Sequence, residues 1–201
     1  RTLIYAVTGR KVNSSMLPAD VGCIVDNVDT VLSVYMAVCK STPLIRKIIT
    51  VTGDAIANPK NFSARLGTCY QELVDAAGGF KTEPEKVISG GPMMGQALFD
   101  LTIPVSKTSS ALTCLTKDQV AEMEPTACIR CGRCVSVCPE FLVPQKLMRA
   151  AKRHDLEQFE KLNGMECVEC GSCSWGCPAR LQLTQAFKEM RVAVRASKKK
   201  A

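Results

Sequence analysis

Cysteine occurs in two copies of one pattern, Cys128-x2-Cys131-x2-Cys134-x3-Cys138-Pro139 and Cys167-x2-Cys170-x2-Cys173-x3-Cys177-Pro178, offset by 39 residues. Three thiolates two residues apart wrap a looping backbone around three irons of a cubane, and the loop amides then face the sulfurs. The fourth cysteine opens the next helix and, in chains that carry two cubanes, ligates the other cube. The spacing therefore predicts one [4Fe-4S] site from Cys128, Cys131, Cys134 and Cys177, and a second from Cys167, Cys170, Cys173 and Cys138. Crossed ligation of this kind ties both halves into one unit and brings the clusters within tunnelling distance. It also predicts a region that does not fold properly without iron and sulfide. Gly132 and Gly171 each follow a ligand cysteine, where a side chain would crowd the cube, and the proline after each fourth cysteine sets the turn into the helix. Paired Cys-x2-Cys elements also build zinc sites. Zinc ribbons, however, separate two pairs by a loop and do not set three cysteines at one spacing with a fourth before proline.

Charge follows the cysteines. Residues 1–124 hold 12 basic and 12 acidic side chains and residues 125–201 hold 14 and 7, so the whole +7 excess lies in the cysteine-rich part. A cluster with four thiolates is anionic, and much of this excess balances it. A nucleic-acid interface would interleave basic and aromatic side chains on one face; with 5% aromatics and no such face, no nucleic-acid partner is expected. Twelve cysteines would suggest disulfides in a secreted chain, but the ligand spacing of eight of them points to a reducing, cytoplasmic setting. The longest uncharged stretch, Val87 to Phe99, is shorter than the roughly 18 residues of a spanning helix, so no transmembrane helix is expected. Arg1 to Gly9 has neither an initiator Met nor a leader-like pattern, and the natural chain is expected to begin upstream.

The rest of the chain reads as α+β. Leu3 to Val7 and Val21 to Val25 read as strands, followed from Val28 by a helix with Val31, Leu32, Tyr35, Met36 and Cys39 at helical spacing and Asp26 or Asn27 as N-cap. Residues 1–43 look like the tail of a larger α/β domain. Residues 44–105 give strands at Ile48 to Thr52 and Phe62 to Leu66, then a short helix boxed by Thr68 and Gln71. Further strands follow at Lys86 to Ser89 and Leu101 to Val105, an order that suits a β-grasp module. Residues 106–124 read as a connector ending in a short helix capped by Thr116 and Gln119. Residues 125–201 read as a mainly helical domain, with helices opening at Pro144 and Asp155 and a last one carrying Leu183, Phe187, Met190 and Val194 on one face.

The remaining candidates favour plain roles. Cys23, Cys39, Cys69 and Cys114 match no ligand pattern and read as core residues. His154, the single histidine, reads as a solvated helix end, and Gly90 to Gly95 as a tight turn between strands. Trp175 is open between packing on a cluster and starting a helix. Lys188, Arg191 and Arg195, with the tail Lys198 to Lys200, read as a solvated helix face and a disordered tail; an anionic membrane surface or a partner protein are the alternatives.

Cys-Ile-Arg-Cys-Gly-Arg-Cys (128–134), Leu142-Val-Pro-Gln145, Glu166-Cys-Val-Glu-Cys-Gly-Ser-Cys (166–173) and Cys-Pro-Ala (177–179) resemble the RnfC family, a component of the Rnf electron transport complex. Leu17-Pro-Ala-Asp-Val-Gly (17–22), Val51-Thr-Gly-Asp-Ala (51–55) and Gly90-Gly-Pro-Met-Met-Gly (90–95) resemble it in the same order. The resemblance implies a complex-I-like domain binding FMN and NADH, of which residues 1–43 are the end, then a soluble-ligand-binding (SLBB-like) β-grasp domain and a double-[4Fe-4S] ferredoxin domain. It implies flavin contacts at Asn27, Val28, Asp29 and Thr30, by likeness to an Asn-Val-Glu-Thr stretch, with Asp29 in place of the usual Glu. It further implies a peripheral subunit on the cytoplasmic face of a prokaryotic membrane, partnered by the other subunits of an ion-pumping ferredoxin:NAD oxidoreductase. Lacking glycine-rich nucleotide loops, this stretch alone is expected to relay electrons and not to oxidise NADH. The cobalamin reductase of propanediol utilisation, serving a corrinoid enzyme, resembles the same architecture. A binding scaffold with structural clusters is a third reading.

Overall fold

The computed structural model describes residues 1–200, with side chains through Lys198. The chain divides into two compact units, one of Asp26–Glu122 and one of Arg1–Val25 with the residues from Met123 onward.

The first unit is built on a five-stranded mixed sheet in the order β2-β1-β5-β3-β4. Its strands are β1 (Arg46–Thr52), β2 (Lys60–Arg65), β3 (Lys86–Ser89), β4 (Gln96–Leu98) and β5 (Ala111–Leu115). β1 and β5 run parallel with Val51 opposite Leu112, and the other pairs are antiparallel. Alternation along β1 buries Ile49 and Val51. These pack with Leu112 and Cys114 against Tyr70, Leu73 and Val74 of the helix Tyr70–Ala76.

Three expectations here fail for identifiable reasons. Leu101 to Val105 is not a strand of the sheet. It lies along the turn before the Tyr70 helix, where the Gln71, Tyr70 and Gly67 amides donate to Leu101, Ile103 and Val105 carbonyls. Pro104 lacks an amide donor and cannot serve a central ladder. The missing central strand is β5, inside the stretch read as a connector. Thr116 caps no helix: its amide and hydroxyl donate to the Asp54 carboxylate at 2.9 and 2.6 Å, and Asp118 closes a turn by accepting from Ala121. The box at the Tyr70 helix is shifted by one residue, with Cys69 as N-cap and Glu72 accepting its amide, because the Thr68 carbonyl is already taken by the Val105 amide.

The N-terminal strands are also absent. Thr2–Thr8 is the helix α1, ended by Gly9 in the left-handed region, and Pro18–Val21 is a single 3-10 turn. β-branched runs this short fit either state, and no neighbouring strand offers them a ladder. α2 spans Val28–Lys40 with Asn27 as N-cap, its side chain accepting from the Asp29 amide. Its apolar spacing is helical as read, yet none of its residues is buried and Val31, Leu32 and Tyr35 stand at least half exposed.

In the second unit, with the Tyr70 helix as α3, the helices are α4 (Arg133–Ser136), α5 (Pro144–Lys152), α6 (Leu156–Lys161), α7 (Ser172–Trp175) and α8 (Leu183–Lys200). Pro144 sits in the first turn of α5, and Asp155 caps α6 by accepting from the Gln158 amide at 2.8 Å. Leu147, Phe159, Leu183, Phe187 and Val194 are fully buried, with the Phe159 and Phe187 rings 6.2 Å apart. Helix runs on to Lys200, so the lysine tail is not irregular; the side chains of Lys199 and Lys200 lie outside the described residues. Among the described residues no helix is long and apolar enough to cross a membrane.

Candidate metal centre

The 39-residue repeat is a repeat of backbone path. Arg130 and Glu169 hold φ of 56° and 57°, Gly132 and Gly171 of 78° and 82°, and Phe141 and Arg180 both of 54°. The turn bonds match as well. Ser136 and Trp175 amides donate to Gly132 and Gly171 carbonyls at 3.2 and 3.0 Å, and Phe141 and Arg180 amides to Cys138 and Cys177 carbonyls at 3.2 and 3.1 Å. Each run thus loops through its three close cysteines, makes one helical turn (α4 or α7), and turns sharply at its fourth. Gly132 and Gly171 are the left-handed N-caps of those turns, a backbone reason for glycine besides the room beside a cube.

The fourth cysteine of the first run lies with the second run. Cys138, Cys167, Cys170 and Cys173 line one cavity, closed by Leu142, Pro144, Thr184 and Phe187. The amides of Leu142 and Glu169 donate to Cys138 and Cys167 Sγ, both at 3.4 Å. Burial pushes the Cys173 thiol up; the Thr184 hydroxyl opposes this, and the sulfurs of Cys170 and Cys138 add to it. Burial raises Cys134, the Gln145 amide lowers it, and the sulfurs of Cys177 and Cys128 push it up again. Cys177 is buried, Cys128 and Cys131 are exposed, and Cys134 is intermediate.

Among the described residues no three His, Cys, Asp or Glu side chains converge tightly enough for one metal ion. Tetrahedral zinc takes its four ligands at one centre, whereas a cube of four irons takes one thiolate at each iron. Two loops of soft sulfur donors, partly buried and met by amide donors, suit a cubane.

The other candidates divide. Asn27, Val28, Asp29 and Thr30 form the start of α2, where Asn27 is engaged as cap, Asp29 pairs with Lys47 at 3.6 Å, and Val28 is 82% exposed. Trp175 is 87% exposed at the end of α7. His154 is an exposed helix end with φ of 51°. Of the four spare cysteines Cys114 is buried, Cys23 and Cys69 are half-buried and Cys39 is exposed, so the core role holds fully for Cys114 alone. Gly90 to Gly95 makes the turn between β3 and β4, closed by the Gly95 amide on the Gly91 carbonyl. Sequence reasoning missed Thr184, whose hydroxyl lies 3.7 Å from Cys173 Sγ. The 39-residue offset could have found it, since Thr184 corresponds to Gln145, whose amide meets Cys134.

Comparison with known proteins agrees with this division. A family profile described as the SLBB domain matches residues 48–97, and one described as a 4Fe-4S dicluster domain matches residues 124–181. The chain is 43% identical over 166 residues to the C subunit of the Na(+)-translocating ferredoxin:NAD(+) oxidoreductase complex of Acetobacterium woodii, covering 83% of this chain and 38% of that protein. It is 48% identical over 147 residues to the proton-translocating counterpart of Clostridium ljungdahlii, covering 73% and 32%. It is 40% identical over all 201 residues to the C subunit of the ion-translocating oxidoreductase complex of Pseudomonas aeruginosa, covering 26% of that protein. The chain therefore spans about a third of the length of these relatives. With both profiles in order, and with relatives of one name along most of its length, the chain belongs to the RnfC family of the ion-translocating oxidoreductase complexes.

Proposed function

We propose that this chain carries electrons one at a time through two [4Fe-4S] clusters, one held by Cys128, Cys131, Cys134 and Cys177 and the other by Cys167, Cys170, Cys173 and Cys138. The observation that carries this is the cavity in which Cys138 of the first run stands beside three cysteines of the second. Each cluster, when bound, supplies a one-electron carrier whose potential is set by hydrogen bonds to sulfur, net charge and burial. The chain's own residues supply those settings. Amides of Leu142 and Glu169 point at sulfur, and Leu142, Pro144 and Phe187 keep water from the second site. Both loops turn through left-handed residues at matching positions, Arg130, Gly132 and Phe141 in the first run and Glu169, Gly171 and Arg180 in the second.

In the whole protein the relay takes electrons from an upstream domain holding FMN and NADH, with Asn27, Val28, Asp29 and Thr30 as flavin contacts, and passes them to other subunits. The setting is the cytoplasmic face of a prokaryotic membrane, as a peripheral part of a ferredoxin:NAD oxidoreductase that pumps ions. The names of the relatives support this reading.

Anaerobic protein should contain about eight irons and eight labile sulfides per chain, as two four-iron cubes require. Cys138→Ser tests the crossing. Its expected effect is loss of the cluster in the Cys167 loop, with about four irons kept. Loss of the cluster from its own run instead would show uncrossed ligation, and wild-type protein loaded with zinc would remove the relay altogether.

A further inference from the structure

The two cysteine runs share a backbone path but not an electrostatic setting. Residue 169 lies in the first gap of the second run and corresponds to Arg130 in the first; on the following helices Arg191 of α8 corresponds to Lys152 of α5. In the second run an acid meets a base, and Arg191 Nη1 is ion-paired with Glu169 Oε1. In the first both positions are basic and exposed, so no such pair forms.

Arg191 is only 8% exposed, at the edge of the stripe that Phe187, Met190 and Val194 bury on α8. Its Nε has no hydrogen-bond partner among the described residues. A guanidinium keeps its proton under all ordinary conditions, and burying one with a donor unmatched costs stability unless another group gains from its charge. That group is close. Glu169, which holds Arg191, also donates its amide to Cys167 Sγ at 3.4 Å.

Resting on the cluster assignment above, we propose that Arg191 is a positioning residue that raises the reduction potential of the site formed by Cys138, Cys167, Cys170 and Cys173. One electron from a low-potential donor enters that site and no proton follows, so the site gains one negative charge. Arg191 stabilises the more negative state, and its burial lessens the screening of its charge by solvent. Glu169 opposes it in charge while fixing the guanidinium in place. The first site has no counterpart of this pair, so the two sites are electrochemically distinct.

The test is a redox titration with dithionite, followed by electron paramagnetic resonance, on full-length protein first shown to hold about eight irons and eight sulfides. Arg191→Gln should shift the reduction equilibrium of one cluster about tenfold toward the oxidised form, about 59 mV for one electron, and leave the other unchanged. Glu169→Gln should move the same cluster in the opposite direction. Arg191→Lys, which keeps the charge, should restore most of the shift, and loss of the signal in Cys138→Ser identifies the cluster concerned. Equal movement of both clusters, shifts of one sign in both variants, or iron loss from all three would overturn the proposal and leave Arg191 a structural brace. Wild-type protein short of iron and sulfide would instead overturn the cluster assignment on which it rests.

Discussion

Two residues in the sheet show how closely its backbone is packed. Gly53 holds φ of 119°, and a Cβ there would lie 1.9 Å from the Cys114 carbonyl oxygen. The Val51-Thr-Gly-Asp-Ala stretch is therefore a joint between β1 and β5. Gly53 permits the approach, the Ala55 amide donates to Cys114, and Asp54 accepts from Thr116. Cys114 is fully buried beneath this joint, and burial pushes its thiol up from 9.0 to about 11. The folded state holds that proton more tightly than the unfolded chain does. Its contribution to stability is thus complete below about pH 9 and is lost as pH rises through about 11. Denaturant unfolding of the wild type should lose on the order of 2 kcal/mol over that window from this group. Cys114→Ala, less stable at pH 8 by about 1 kcal/mol, should show a shallower alkaline limb. Parallel limbs for the two proteins would place the alkaline loss elsewhere.

Helices were legible in the sequence wherever a cap and a buried stripe coincided. α6 meets that condition, while α5 was marked by Pro144 in its first turn and α8 by its buried stripe alone, and Asp155 shows what a cap is worth. α6 has six residues, too few to be stable alone, and its N-terminus is fastened by the Asp155 carboxylate on the Gln158 amide. Asp155→Ala should cost about 1 kcal/mol, measured by thermal unfolding of the cluster-loaded protein; Asp155→Asn should recover most of it. Strands were less legible because a strand is defined by its neighbour. Leu101 to Val105 alternates as well as β5 does, but Pro104 bars it from a central place. Ala111 to Leu115 follows a serine-rich stretch and precedes a false cap at Thr116. The matching backbone path of the two cysteine runs could be read because their spacing repeats at a fixed offset of 39 residues. The burial of Arg191 could not, since its partner Glu169 is 22 residues away and a base at the edge of an apolar stripe is ordinarily read as solvated.

At the scale of the molecule, the two units depend differently on iron. The sheet unit has a core of its own, with Ile49, Val51, Ile56, Val74 and Leu112 wholly buried and no expected ligand among them. The helical unit includes Cys173 and Cys177 in its core, and apart from the single turns α4 and α7 the loops that carry its cysteines have little regular structure. Without a cluster those loops keep few bonds to set against the entropy of ordering them. Anaerobic removal of iron by a chelator should therefore speed amide exchange by at least about 100-fold in residues 126–143 and 166–182. β1, β2 and β5 should stay within about twofold of their loaded rates, because their stability comes from apolar burial. Exchange resolved by peptide mass spectrometry separates the outcomes. Unchanged loops after complete iron loss would mean that they are held by protein contacts alone, and equal loosening of the sheet would mean that the units do not fold independently.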